Sequence, residues 1–333
     1  MKYIPAIAVA ILLLGCSGKQ YYEPTGDAYS ISSRSYGGEI VHLTRDGATL
    51  SDRHYIGKRG INKIKLANGH RFLSESTNYV LSSNTKGVLN IFDKSTGKII
   101  RAVALHIPVV SATIHNGIIA YILNNNTFGI YQIAGNKKIV ENHSERTYAI
   151  DTRAASPMFI DNLAVMPMLD GKLIIVDAQN TDNTKVVYLS SHKMFNNVVF
   201  LSRMGNTMVV STPKKIITIG SAGKKEYRAN ISETIIANNS IYIFTKEGEV
   251  IRLNTTLQPL AKKKFKFAHF SAAASYKDKI FGLDQHGSLI ALSADLKKYK
   301  IYDIGSVNEP VFTTGSKLYK DGEIFELSKL GYK

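Results

Sequence analysis

The sequence predicts an all-β chain folded as a β-propeller of four-stranded antiparallel blades. Three observations lead there. From residue 38 onward short β-rich runs recur, such as YVLSS at 79–83, IIAYIL at 118–123 and IYIFT at 241–245, with no convincing amphipathic helix among them. Each run ends in a turn rich in Asn, Gly, Asp or Lys and is followed by a second short run. Those second runs begin at or near Gly87, Gly129, Gly171, Lys215, Gly248, Gly287 and Gly322, at intervals of 42, 42, 44, 33, 39 and 35 residues. Evenly spaced strands divided by hairpin turn chemistry mark an all-β repeat.

The elements follow in chain order. Residues 1–15 have a positive start at Lys2, an apolar stretch from Tyr3 to Leu14, and the ending Leu13-Leu14-Gly15 before Cys16. The stretch is too short to span a bilayer core of ~30 Å as a helix. It fits the apolar region of a secretory signal. Leu13-Leu14-Gly15-Cys16 looks like a bacterial lipobox. Cys16 is the only cysteine of the chain and is expected to carry an S-diacylglycerol and an N-acyl group; an ordinary signal peptide that happens to hold a cysteine is the alternative. Several acyl chains give stable anchoring where one does not. Residues 16–37, rich in Ser, Gly, Thr, Pro and Tyr without periodicity, read as a lipidated tether. Extended, residues 17–37 would reach roughly 70 Å.

Residues 38–333 read as a single propeller domain. The clearest unit, 271–304, has a small-residue strand at 271–276, a second at 279–284, a third at 288–292 and a fourth ending at Ile304. Such a unit cannot bury both faces alone. Stacking units around an axis buries them and leaves only short, protected edges. Ala272 to Ala274 suit the crowded inner strand. Lys98, Lys138, Lys185, Lys225, Lys263 and Lys298 recur on the outermost strand, where charge discourages pairing with other chains. The last unit stops after three strands, and Gly38 to Leu43 offers the missing fourth, with a turn at Arg45-Asp46-Gly47. Counted so, the ring has seven blades and is closed by an N-terminal strand completing the C-terminal blade; eight blades result if 38–56 forms a hairpin and more.

The repeat with its GSLIAL core, best seen in GLDQHGSLIALSADLKKYKIYDI at 282–304, resembles the PQQ-like, quinoprotein-type propeller repeat. Together with the lipobox it resembles the BamB-like lipoproteins of outer-membrane β-barrel assembly. Repeats of this type carry a tryptophan near the start of the fourth strand; here the equivalent places hold Ile100, Val140, Tyr227, Phe265 and Tyr299, and the chain has no tryptophan. The resemblance implies a non-enzymatic scaffold facing the periplasm from the outer membrane, with Ser17 after the lipidated cysteine favouring that membrane over the inner one. It implies a BamA-like barrel-assembly protein as partner.

No catalytic, cofactor-binding or metal-binding residue is nominated. Quinoprotein enzymes resembling this fold use a vicinal disulfide and a stacking tryptophan, and neither can exist here. None of the nine histidines falls in HExxH or a close pair with metal-ligand spacing. His286 reads as a solvated turn residue. Four SxxK tetrads, from Ser83, Ser95, Ser211 and Ser221, mark chance in a Ser- and Lys-rich β protein, since a β-lactamase-like site needs the serine at a helix start. An enzyme with its groups on propeller loops therefore ranks behind two binding roles. Lys and Arg number 42 against 26 Asp and Glu, a net charge of +16, which favours anionic surfaces. A lysine-rich rim at Lys262-Lys263-Lys264, Lys266 and Lys297-Lys298 gives the alternative role, a binding module for anionic envelope polymers or glycans; nucleic acid is not expected for a secreted lipoprotein.

Overall fold

The computed structural model describes residues 20–24, 26–147, 150–190 and 194–332; the predicted signal peptide and Cys16 lie outside them. Eight separate sheets follow one another along the chain, each built on four antiparallel strands. Blade one comprises Ile40–Leu43, Ala48–Leu50, Tyr55–Gly57 and Gly60–Asn62. Blades two to eight begin at Arg71–Glu75, Val109–His115, Met158–Ile160, Phe200–Met204, Ile231–Ala237, Phe270–Tyr276 and Phe312–Thr314. Blade seven reproduces the expected unit, with strands Phe270–Tyr276, Lys279–Asp284, Ser288–Ser293 and Tyr299–Asp303.

The ring therefore has eight blades, not seven. The seven repeat anchors mark blades two to eight. The uncounted blade is the first, whose strands are only three or four residues long. Gly38 to Leu43 does not complete the last blade but opens the first. Arg34–Ser35 supplies the fourth strand of blade eight, pairing antiparallel with Ile324 and Glu323. The device foreseen for joining the two ends is present, a few residues earlier than expected.

Second and third strands are almost continuously apolar and buried, as in Ile118–Leu123 and Ser288–Ser293, because a neighbouring blade covers each face. Every aliphatic side chain so placed contributes about 1.5–3 kcal/mol relative to exposure. Eight buried clusters result, one at each junction. Leu73, Leu81 and Ile91 of blade two meet Ile119 and Tyr121 of blade three, and at the seam Ile40, Leu50 and Ile56 of blade one meet Tyr319 and Ile324 of blade eight. Outer strands are exposed, as in Ile99–Ala104 and Gly223–Arg228. Of the residues at the tryptophan-equivalent places, Phe265 is buried, Val140, Tyr227 and Tyr299 pack on the clusters, and Ile100 is exposed.

One backbone hydrogen bond recurs in all eight blades. A residue following the fourth strand, the very next one in every blade but the first, donates its N–H to a carbonyl in the turn between the second and third: Leu66 to Arg53, Leu105 to Gly87, Ser144 to Asn126, Leu189 to Gly171, Ala229 to Lys214, Phe265 to Gly248 and Ile304 to Gly287. In blade eight the donor is Tyr36, to Gly322. The N-terminal strand thus does at the seam what the fourth strand does elsewhere.

Residues 20–37 are not the free tether expected from composition. Tyr22 is buried at the junction of blades six and seven, edge-on to Phe265 at 6.1 Å, and burial pushes its hydroxyl up to about 12. Tyr21 lies against the His286 ring at 4.3 Å. Tyr29–Ser30 adds a parallel fifth strand to blade seven beside Tyr302 and Asp303. Four tyrosine rings, Tyr21, Tyr22, Tyr29 and Tyr36, and two strand pairings hold a segment whose composition gives no periodic signal.

Candidate functional site: the central channel and the lysine flank

The first strands of all eight blades converge on a channel of about 1150 Å³. Leu43, Thr113, Phe200, Ser271 and Phe312 are among its lining residues. The small side chains of Ala272 and Ala273 face this crowded centre as expected.

Charged groups from separate blades meet inside it. The turn after the first strand of blade one, seen in the sequence only as Arg45-Asp46-Gly47, reaches across the channel. Arg45 Nε donates to the Val199 carbonyl at 2.7 Å, beside blade five, and its Nη1 pairs with Glu233 of blade six at 2.8 Å. Arg153, on the loop before blade four, donates to Asp151 at 2.7 Å, to the Ser232 carbonyl, and lies 3.6 Å from Glu233. Burial opposes the Arg153 charge, but the Asp151 hydrogen bond and the Glu233 charge outweigh it and hold its pKa above the ordinary value. Burial likewise opposes ionisation of Asp151, and Arg153 overrides it, holding Asp151 below the usual range. Beside this brace Glu75 accepts from Lys94 at 2.6 Å and from the Lys58 backbone at 2.7 Å. The arrangement ties positive to negative groups and links blades that share no junction.

Asp46 is the exception. Its Oδ2 is buried without a hydrogen-bond partner. Burial raises its pKa above 3.8, with Glu75 acting the same way, while a Ser156 hydrogen bond, Lys58 and Arg45 pull against them. A folded-state pKa raised in this sense favours the protonated form. The contribution is fully present below the ordinary pKa and is lost as pH rises through the folded one. We expect Asp46→Asn to be more stable than the wild type at pH 7, with the difference shrinking as pH falls toward 4. Thermal unfolding across that range checks it; equal or lower stability of the variant at pH 7 contradicts the assignment.

Among the described residues no group of three or more His, Cys, Asp or Glu side chains is placed to hold a metal ion. The SxxK serines Ser83 and Ser211 lie in β-strands rather than at the start of helices. His286 occupies a turn, as expected, but it is also engaged by Tyr21 and lies 3.4 Å from Asp284.

The predicted lysine rim is a connected flank of blades six and seven. Lys262, Lys264, Lys266, Lys297 and Lys298 are exposed. Lys263 is half-buried with its ammonium 4.5 Å from the Tyr299 ring centre, joining the two groups. On the outer strand Pro259–Lys264, Leu260, Lys262 and Lys264 share the exposed face. Glu249 offsets part of this charge, lying 2.8 Å from Lys262 and 3.7 Å from Lys264. Among the described residues no helix is long and apolar enough to cross a membrane.

No protein-family model matches the chain. The plasminogen-binding protein PgbB of Helicobacter pylori strain J99 is 23% identical over 381 aligned positions, covering 99% of this chain and 70% of that protein. The PgbB of strain 26695 is also 23% identical, with 69% of its length covered. Among solved structures, BamB from Moraxella catarrhalis superposes with a TM-score of 0.69 at 14% identity, covering 90% of this chain and 98% of that one. The C-terminal WD40 domain of Sif2 gives 0.65 at 10% identity, covering 90% and 98%. The computationally designed Ika8 protein gives 0.63 at 13%, covering 90% and 100%. At these identities the structural likeness establishes the fold alone.

Proposed function

We propose that this chain is a non-enzymatic, lipid-anchored propeller whose work is to hold another protein at the bacterial envelope. The reading that fits best is a BamB-like scaffold in the outer membrane, facing the periplasm and assisting assembly of β-barrel proteins. The observation that carries it is the eight-bladed body, similar to BamB over 90% of the chain; the sequence Leu13-Leu14-Gly15-Cys16 ahead of it, which looks like a lipobox, supports the anchor. The channel supports a binding rather than a reactive role, because most of its charged side chains are committed to one another. Rigid rings present variable loops on a fixed frame, a geometry suited to holding partners.

A second reading has its own support. The two PgbB proteins, similar along 99% of this chain, are named for binding plasminogen. A propeller displayed outward could bind a host protein by the same loops. Crosslinking in intact cells, with photoreactive residues placed in the loops at the two ends of the channel, separates the partners. Capture of a BamA-like barrel-assembly protein supports the scaffold; saturable binding of purified plasminogen without such capture supports the second reading. Recovery of neither overturns both.

The anchor has a separate test. Cys16→Ala is expected to leave unprocessed precursor, abolish acyl labelling and remove the protein from outer-membrane fractions. Unchanged labelling of that variant excludes Cys16 as the acylated residue.

A further inference from the structure

We propose that the flank formed by Leu260, Lys262, Lys264 and Lys266 lies against the anionic headgroups of the membrane that holds the anchor. The inference rests on the reading of Cys16 as the acylated residue, and adds to it an orientation of the whole ring. It begins from a length. Cys16 stands six residues before Tyr22, and Tyr22 is locked into the buried cluster at the junction of blades six and seven, edge-on to Phe265. At 3.3–3.6 Å per residue those six residues span at most about 20 Å. A freely hinged tether of residues 17–37 would have let any face of the ring approach lipid. The docked segment allows only the neighbourhood of Tyr22 to do so.

The outer strand of blade six, at whose end Tyr22 docks, carries a surface that matches lipid: Lys263 lies on the face turned toward the Tyr22 junction, and Leu260, Lys262 and Lys264 on the face turned toward blade five. Phe265, the ring against which Tyr22 packs, directly follows the strand Pro259–Lys264 and precedes Lys266. Leu260, Lys262 and Lys264 face outward, 52%, 52% and 47% exposed. An exposed aliphatic chain beside ammonium groups on long stems suits the boundary between headgroups and acyl chains. The charges around it include acidic ones: Glu249 between Lys262 and Lys264, and Glu247, which accepts from Asn230. Four lysines against Glu249 still leave the strand and its end positive. Lysines near an anionic membrane contribute about fivefold each to binding, within a Debye length of its surface. An anchored chain gains further because its flank is already at high local concentration.

The test uses the full lipidated chain in vesicles of phosphatidylethanolamine with or without phosphatidylglycerol. Acylation occupies Cys16, so a single introduced cysteine carries a fluorophore, at Leu260→Cys or at Lys98→Cys on the outer edge of blade two, across the ring. Headgroup-labelled lipid should quench the label at 260 several-fold more than the label at 98. The preference should require phosphatidylglycerol and fall as salt rises. Lys262→Gln, Lys264→Gln and Lys266→Gln together should abolish it. Equal quenching at both positions, with acyl labelling of Cys16 intact, overturns the orientation while sparing the anchor. If acyl labelling is absent the anchor falls, and co-sedimentation of the full chain with the same vesicles decides the flank by itself. At least tenfold stronger binding to the anionic vesicles, lost in the triple variant, supports it; no preference overturns it.

Discussion

Replacing Gly287 with alanine should destabilise the ring by about 3 kcal/mol or more, the combined cost of a left-handed non-glycine residue and of overpacking. Gly287 sits at φ +93° in the turn that accepts the recurring bond from Ile304. A Cβ there would fall on the Gly305 carbonyl, far inside van der Waals contact and against backbone that no rotamer change can move. Either the turn opens, breaking the Ile304 bond, or the loop leading into blade eight shifts. Both disturb a blade junction. Gly117→Ala is the matched control: φ is +73°, but nothing lies within 4 Å of the added methyl, so only the conformational cost of about 1–2 kcal/mol applies. Urea unfolding of the two variants checks the comparison. If both lose the same stability, steric approach at Gly287 contributes nothing and the proposed role of the turn is wrong.

That turn also explains what the sequence disclosed and what it hid. Blades two, four, six, seven and eight have glycine at the accepting position, so their third strands announce themselves as a glycine followed by apolar residues. Blade three uses Asn126, at φ +65°, and the sequence pointed instead to Gly129 in the middle of the strand. Blade five uses Lys214 beside Pro213. Blade one uses Arg53, at φ +75°, before a strand of three residues, and nothing there resembles its neighbours. Hence the repeat itself counts seven blades, and the eighth stands only as the alternative in which 38–56 forms a hairpin and more, which is the arrangement found. Blades three and five keep long apolar strands and stay in the period despite their turns; blade one combines an unlike turn with strands of three or four residues and drops out of it.

The functional surfaces were legible unequally for similar reasons. The lysine flank is a local run of residues, so composition found it. The docking of Tyr21 and Tyr22 was invisible because two aromatic side chains entering a groove leave no periodicity, and the groove is made by residues more than 200 positions later. The channel brace joins Arg45 to Glu233, 188 residues apart. No spacing rule connects such a pair; only closure of the ring brings them together.

The brace yields the second large effect. In Glu233→Gln, Arg45 keeps the Val199 carbonyl and Arg153 keeps Asp151, but both guanidinium groups lose a shared counter-charge at a site where the side chains are only 13–26% exposed. Removing one partner of a fully buried pair costs about 3–5 kcal/mol; with this partial exposure we expect about 2 kcal/mol. Arg45→Gln should lose a similar amount. The double variant should be less unstable than the sum of the two by about 1 kcal/mol, beyond the ~0.5 kcal/mol within which independent sites add. Because Arg45 belongs to blade one and Glu233 to blade six, the loss should also appear as faster amide exchange in Ile40–Leu43 and Ile231–Ala237 together. Pairs on the exposed outer strands, such as Lys262 with Glu249, should show no such coupling, since surface ion pairs contribute about 0–1 kcal/mol. Additive losses, with exchange confined to the blade that carries the substitution, would mean that the ring holds its shape by its eight junctions alone and that the charges merely share a channel.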